Sequence, residues 1–146
     1  MRVITSLFVA MALMDATAPA MALGQAVDGP VYVAYFWRAK AGQADAYNDY
    51  IKGTAEKIDE DARQAGVFED VVTVRPSQMG TSAAITDWTH LRIFKLKNRA
   101  AAEALGKGLD EATLRVVPDE AQRKRNSERS AGLRDFVRQE IWTALR

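Results

Sequence analysis

Hydrophobic and polar positions change their period several times along the chain, and each change predicts an element. Val31 to Arg38 (VYVAYFWR) is an unbroken run of β-branched and aromatic residues following Gly29-Pro30, which predicts a strand. From Ala44 the period lengthens. Ala44, Tyr47, Ile51, Ala55, Ile58, Ala62 and Ala65 recur every three or four residues, one apolar helix face, and Gly66 stops it as a left-handed cap. Val67 to Arg75 predicts a second strand ending at Pro76, and Thr86 to Leu96 a third. The polar stretch Ser77 to Ala83, with Gly80 near its centre, joins them as a loose hairpin. Asn98 is a candidate N-cap for a second helix whose stripe is Ala101, Leu105, Leu109, Ala112 and Val116; Gly106 and Gly108 count against it. Pro118-Asp119-Glu120 suits the first turn of a polar helix carrying the run Arg123-Lys124-Arg125, which reads as a solvated face. Leu133 to Leu145 predicts a terminal strand.

Strand, helix, strand, strand, helix, strand is the order of a ferredoxin-like βαββαβ domain of the α+β class. Its four-stranded antiparallel sheet carries both helices on one face, with the first and third strands central and the extra polar helix placed before the last strand. Alternation divides each strand into two rows. The first strand sets Val33 and Tyr35 against Tyr32, Ala34 and Phe36. In the third, Leu91 and Ile93 are the row expected under the helices, with Trp88, His90, Arg92 and Phe94 on the other face. In the last, Val137 and Ile141 oppose Phe136, Arg138, Glu140 and Trp142. One face is then aliphatic and the other mixes aromatics with a few charges, a patch too apolar to leave in water. A second copy closing two sheets into a barrel is its expected cover, making the protein a homodimer.

The N-terminus stands apart. Met1-Arg2 precedes a mostly apolar run from Val3 to Met14, followed by Ala18-Pro19-Ala20 and Ala20-Met21-Ala22, the pattern of a signal peptide over residues 1–22. The run is shorter than the roughly 20 residues a spanning helix needs, and Asp15 interrupts it. Export to the periplasm or beyond is expected, with no stable membrane anchor after cleavage, leaving residues 23–146 as one domain.

Composition removes chemistries more than it selects them. The chain of 146 residues has no cysteine, which excludes disulfides, thiolate metal sites and thiol catalysis, and one histidine, which makes a histidine metal cage implausible. A formal charge of +1 argues against a nucleic-acid binder, and Asp119, Glu120 and Glu128 dilute the basic run without any interleaved aromatic. Neither a metal nor a cofactor is expected.

Three short motifs carry a family likeness: Lys40-Ala41-Gly42 followed by Tyr47, Pro76-Ser77-Gln78-Met79-Gly80-Thr81, and Val137-Arg138-Gln139-Glu140-Ile141-Trp142. With them the chain resembles the dimeric α+β barrel superfamily, and more closely a group of uncharacterised exported bacterial proteins of that fold. Ala41 stands where the group's turn usually has proline. The resemblance implies fold and export, and the superfamily's range, from antibiotic-biosynthesis-type monooxygenases to haem-degrading enzymes and muconolactone isomerases, leaves activity open. The haem-degrading members place their iron-binding histidine on a helix, whereas His90 lies within a predicted strand.

On its own terms the aromatic face suggests a ligand pocket, with Tyr32, Phe36, Trp88, Arg138, Glu140 and Trp142 as walls. His90 is the one group whose ordinary pKa suits proton transfer near neutrality, and Arg92 could steady a developing oxyanion, so these two are the candidate catalytic residues. The expected function is binding of a small, partly aromatic molecule in the barrel interior. The alternative is a cofactor-independent monooxygenase- or isomerase-like enzyme with His90 as general base.

Overall fold

The computed structural model describes residues 29–76 and 87–144. The chain runs β1 (Val31–Ala39), α1 (Ala44–Tyr50), a π-helical turn (Ile51–Ala55), α2 (Glu56–Gln64), β2 (Asp70–Val74), β3 (His90–Leu96), α3 (Arg99–Val116), α4 (Glu120–Leu133) and β4 (Arg134–Thr143). All neighbouring strands are antiparallel, in the order β2-β3-β1-β4. This is the expected ferredoxin-like α+β architecture with an added helix before the last strand. The predicted signal peptide, the Ser77 to Ala83 connection and Leu145 lie outside the described residues.

Local signals placed most boundaries. Gly66 takes φ +74°, so the chain leaves α2 through the left-handed region that favours glycine. Asn98 caps α3 by accepting from the Ala101 N–H at 2.9 Å. Gly108, which argued against that helix, serves it: a Cβ there would stand 2.4 Å from the Val67 side chain, so glycine lets α3 approach the chain leaving α2. At α4 the helix starts at Glu120, not at Pro118, because the Asp119 carboxylate accepts from the Gln122 N–H at 2.6 Å and caps it. The predicted single helix from Ala44 is interrupted by the π-helical turn, a widening common where a helix serves a site.

Between the sheet and the helices α2 and α3 lies the main core, built from Val31, Val33, Phe68, Phe94, Leu96 and Leu105 with the small residues Ala62, Ala102 and Ala112. A separate buried cluster of Tyr47, Ile51 and Leu133 joins α1, the π turn and the end of α4, with Trp37 against it. Core membership corrects two expectations of row. Val33 pairs with Phe94 and Val31 with Leu96, so His90, Arg92, Phe94 and Leu96 face the helices while Leu91 and Ile93 face away. This reverses the expected phase of β3, because the row of Phe94 and Leu96 is more deeply buried than that of Leu91 and Ile93. In β4 a register irregularity at Phe36/Trp37 leaves Val137 as an extra residue, so Phe136 pairs with Trp37 on the helix side and Arg138 with Phe36 on the open side.

Candidate functional site

The open face of the sheet holds six of the expected residues. Tyr32 pairs with Trp142 and Phe36 with Arg138, and the Trp88 and Trp142 rings meet Phe36 edge-on at 5.7 and 6.1 Å. The Arg138 guanidinium lies 3.8 Å above the Phe36 ring and donates to Glu140 at 2.7 Å and to both Asp87 oxygens at 3.0 and 2.9 Å. The second Glu140 oxygen accepts from Trp142 Nε1 at 2.8 Å. Hydrogen bonds to Arg138 and Trp142 hold the Glu140 carboxyl below the usual carboxylate range. Arg138 thus ties the two carboxylates into one network that keeps a net negative charge, one guanidinium facing both Asp87 and Glu140.

His90 and Arg92 do not join it, since both project from the opposite side of the sheet. His90 is 2% exposed. Asn48 Oδ1 can only accept, so His90 Nε2–H donates to it at 3.0 Å, and Nδ1, 2.8 Å from Thr89 Oγ1, accepts from that hydroxyl. Thr89 Oγ1 in turn accepts from the Ala39 N–H at 2.7 Å, and Tyr47 packs on the imidazole at 4.5 Å between centroids. Burial pushes the His90 pKa below its ordinary value, and the charges of Arg75 and Arg134 push the same way. Beside it a cavity of about 220 Å³ is lined by Asn48, Lys52, Thr73 and Arg75. Arg92 forms a buried ion pair with Asp59 of α2, and its Nε has no partner. Burial raises the Asp59 carboxyl above the usual range despite the Arg92 guanidinium beside it.

The larger opening lies at the other end of the helix-covered side. It is a cleft of about 560 Å³ with Trp37 of β1 at its base, Tyr50, Thr54 and Ile58 on one wall, Asp110 and Thr113 of α3 on another, and α4 contributing Arg123, Asn126, Ser127 and Ser130. A smaller cavity of about 230 Å³ shares Trp37, Asp110 and Arg134 with it and adds Tyr35, Arg92 and Phe94. The π turn presents Thr54 to this cleft and Ile51 and Lys52 to the cavity at His90.

Arg134 is the focus of that region. As the first residue of β4, immediately after Leu133 ends α4, it is held by both elements. Its Cζ stands 3.6 Å from the centre of the Trp37 ring, with Tyr47 and Tyr50 at 5.1 and 5.9 Å. Nη1 donates to the Tyr47 hydroxyl at 2.6 Å and Nε to Ser130 Oγ at 3.1 Å. Nη2 makes no bond, and among the described residues this guanidinium has no acidic partner. Burial raises the Tyr47 pKa, only partly opposed by the Arg134 charge and hydrogen bond, so the phenol keeps its proton and accepts from Arg134 with a lone pair.

Arg134, Trp37, Tyr50 and Asp110 were absent from the sequence candidates. One signal could have found the region. Helix α4 has no apolar stripe, with Leu133 its one buried residue, and Arg123, Asn126, Ser127 and Ser130 share a face at helical spacing. A helix without an apolar stripe that still lies against the domain marks a place where its polar face borders a cleft rather than a packed core.

Among the described residues no group of acidic or histidine side chains is arranged to hold a metal ion, and no helix is long and apolar enough to cross a membrane. No protein-family model and no curated protein sequence matches the chain. Solved structures similar to it include the following two. The crystal structure of HapK from Hahella chejuensis superposes with a TM-score of 0.49 at 14% identity, over 79% of this chain and 92% of that one. A crystal structure of an ethyl tert-butyl ether D (EthD) family protein from Bacillus halodurans gives 0.44 at 11% identity, over 80% of this chain and 99% of that one. Likenesses of this degree carry no argument about function, and the fold of this chain rests on its own sheet order and helix placement.

Proposed function

We propose that this protein binds a small aromatic acid in the cleft between its sheet and its helices. The observation that carries the reading is Arg134, a guanidinium held 3.6 Å over the Trp37 ring with Nη2 unused and, among the described residues, no acidic partner, at a cleft with aromatic and hydroxyl-bearing walls. A planar cation with free donors suits a carboxylate or phenolate, and the indole and phenol rings suit an aromatic body. The binding reading is favoured over catalysis by His90 because both imidazole nitrogens are already bonded and the ring lines a different cavity.

A calorimetric panel of small aromatic acids, with and without an amino group, tests this. At least one should bind, and Arg134→Gln should weaken it tenfold or more, about 1.4 kcal/mol. Arg138→Gln, on the open face, should leave the affinity unchanged. If no aromatic acid binds, or if Arg138 and not Arg134 governs affinity, the reading is wrong.

Two further proposals complete the picture. The open face keeps Val72, Val74 and Trp142 exposed, at 47, 39 and 36%, which supports its closure by a second copy; sedimentation as a stable monomer at micromolar concentration would refute the dimer. Residues 1–22 have the composition of a cleaved export signal, so N-terminal sequencing of the exported protein should begin at Leu23, and an uncleaved chain retained inside the cell would refute export.

A further inference from the structure

Arg134 is not the only unmatched charge at the cleft. Asp110 of α3 lines both the large cleft and the smaller cavity beside it, as Arg134 does, and among the described residues it forms no hydrogen bond or ion pair. The two do not pair with each other either, although they are of opposite sign and share two cavities. Trp37 is the third residue common to both, and the smaller cavity adds the rings of Tyr35 and Phe94, which meet edge-on at 5.8 Å.

This arrangement discriminates among aromatic acids. A simple carboxylate placed on Arg134 brings a second negative charge towards Asp110, whereas an aromatic amine placed on Asp110 leaves Arg134 unmatched and adds a positive charge near it. A molecule carrying both groups close together satisfies both, and its ring is left to pack against Trp37, Tyr35 and Phe94. Building on the reading that this cleft takes an aromatic acid, we infer that the preferred ligand is zwitterionic, an aromatic α-amino acid whose carboxylate meets Arg134 and whose ammonium meets Asp110. Specificity then comes as much from the repulsion of singly charged analogues as from attraction.

Three probes of nearly one shape separate the contributions: L-phenylalanine, 3-phenylpropanoate, which lacks the amine, and 2-phenylethylamine, which lacks the carboxylate. Titrated calorimetrically into the full domain at neutral pH, L-phenylalanine should bind at least tenfold more tightly than either analogue. Asp110→Asn should abolish its advantage over 3-phenylpropanoate, and Arg134→Gln its advantage over 2-phenylethylamine. Asp110 is exposed on α3, so the asparagine variant should unfold at the wild-type temperature, which a thermal melt checks. If 3-phenylpropanoate binds as tightly as L-phenylalanine and Asp110→Asn changes nothing, the zwitterion inference fails while the aromatic-acid reading stands. If neither acid binds, or the amine alone does, both fail.

Discussion

Two polar side chains flank Tyr47, one against its ring and one on its hydroxyl, and they have opposite characters. His90 is sealed, with Asn48 on one nitrogen, Thr89 on the other and the Tyr47 ring beside it. Arg134 is equally well held, by Trp37, Tyr47 and Ser130, yet keeps Nη2 unbonded beside a cleft. Chemical type would have favoured the histidine as the functional group. What decides is how much bonding capacity the fold leaves unused. A buried polar group whose donors and acceptors are all matched stabilises and specifies the interior, and one left partly unmatched at an opening is available to a ligand.

Breaking the sealed end should have the largest effect on stability. Asp59→Ala leaves Arg92 buried with an unpaired charge and an Nε already without a partner, so a loss of about 3–5 kcal/mol is expected in urea unfolding. His90→Ala comes next. It removes a packed ring and strands Asn48 Oδ1, while Thr89 can turn its hydroxyl towards the Trp37 carbonyl 3.4 Å away, so about 2–3 kcal/mol is expected. His90→Ala should not alter the affinity for an aromatic acid in protein that remains folded, whereas Asp59→Ala also frees the charge of Arg92, which lines the smaller cavity beside Arg134. A tenfold loss of affinity in folded His90→Ala would put His90 in the site and undo the contrast with Arg134.

That contrast was only half legible in the sequence. The order of elements, the Gly66 and Asn98 caps and the β1 rows were readable because each rests on local chemistry: a period, a backbone conformation, a side chain reaching its own helix. That Tyr32, Phe36, Arg138, Glu140 and Trp142 share the open face followed from alternation, whereas their register, Tyr32 opposite Trp142 and Phe36 opposite Arg138, did not. The phase of β3 did not, because an interior Arg92 looks improbable until α2 supplies Asp59 from thirty-three residues away in the chain. Nor did the bulge at Val137, which needs the register of a partner strand. Arg134 was hidden by its place at the junction of α4 and β4, where neither the helical nor the strand period says which way a side chain faces.

The pH dependence sharpens the contrast with a smaller effect. The folded state disfavours charging His90, whose pKa lies below its ordinary 6.5. Its contribution to stability is therefore complete above about pH 6.5 and is lost as pH falls through the folded value, because the unfolded chain takes up a proton that the native ring resists. Asp59 acts with the opposite sign: its carboxyl is raised from 3.8, so its contribution is complete below that value and is lost as pH rises through the folded pKa. Unfolding free energy measured from about pH 7.5 down to about pH 5.5 should decline with a slope of no more than one proton from His90, and His90→Gln should flatten that component. Because Asp59 opposes it, the His90 component is the difference between the wild-type and His90→Gln profiles, and a difference that grows in favour of the wild type on acidification would mean that His90 is not protected from protonation.

The smallest expected change is at the residue joining the two ends. Tyr47→Phe keeps the ring against His90 and removes the hydroxyl that accepts from Arg134 Nη1. The lost bond involves a charged donor, which sets an upper bound of about 1.5–3 kcal/mol if the guanidinium were left stranded. It is not stranded, because Arg134 borders an open cleft where water can replace the phenol, and its stacking on Trp37 and bond to Ser130 remain. A stability loss of about 1 kcal/mol or less is therefore expected, in contrast to His90→Ala one ring away. Affinity for the aromatic acid should fall only severalfold, since the guanidinium keeps its charge and loses one of the contacts that orient it. A stability loss as large as that of His90→Ala would show that Arg134 is sealed like the histidine, and that the cleft does not reach it.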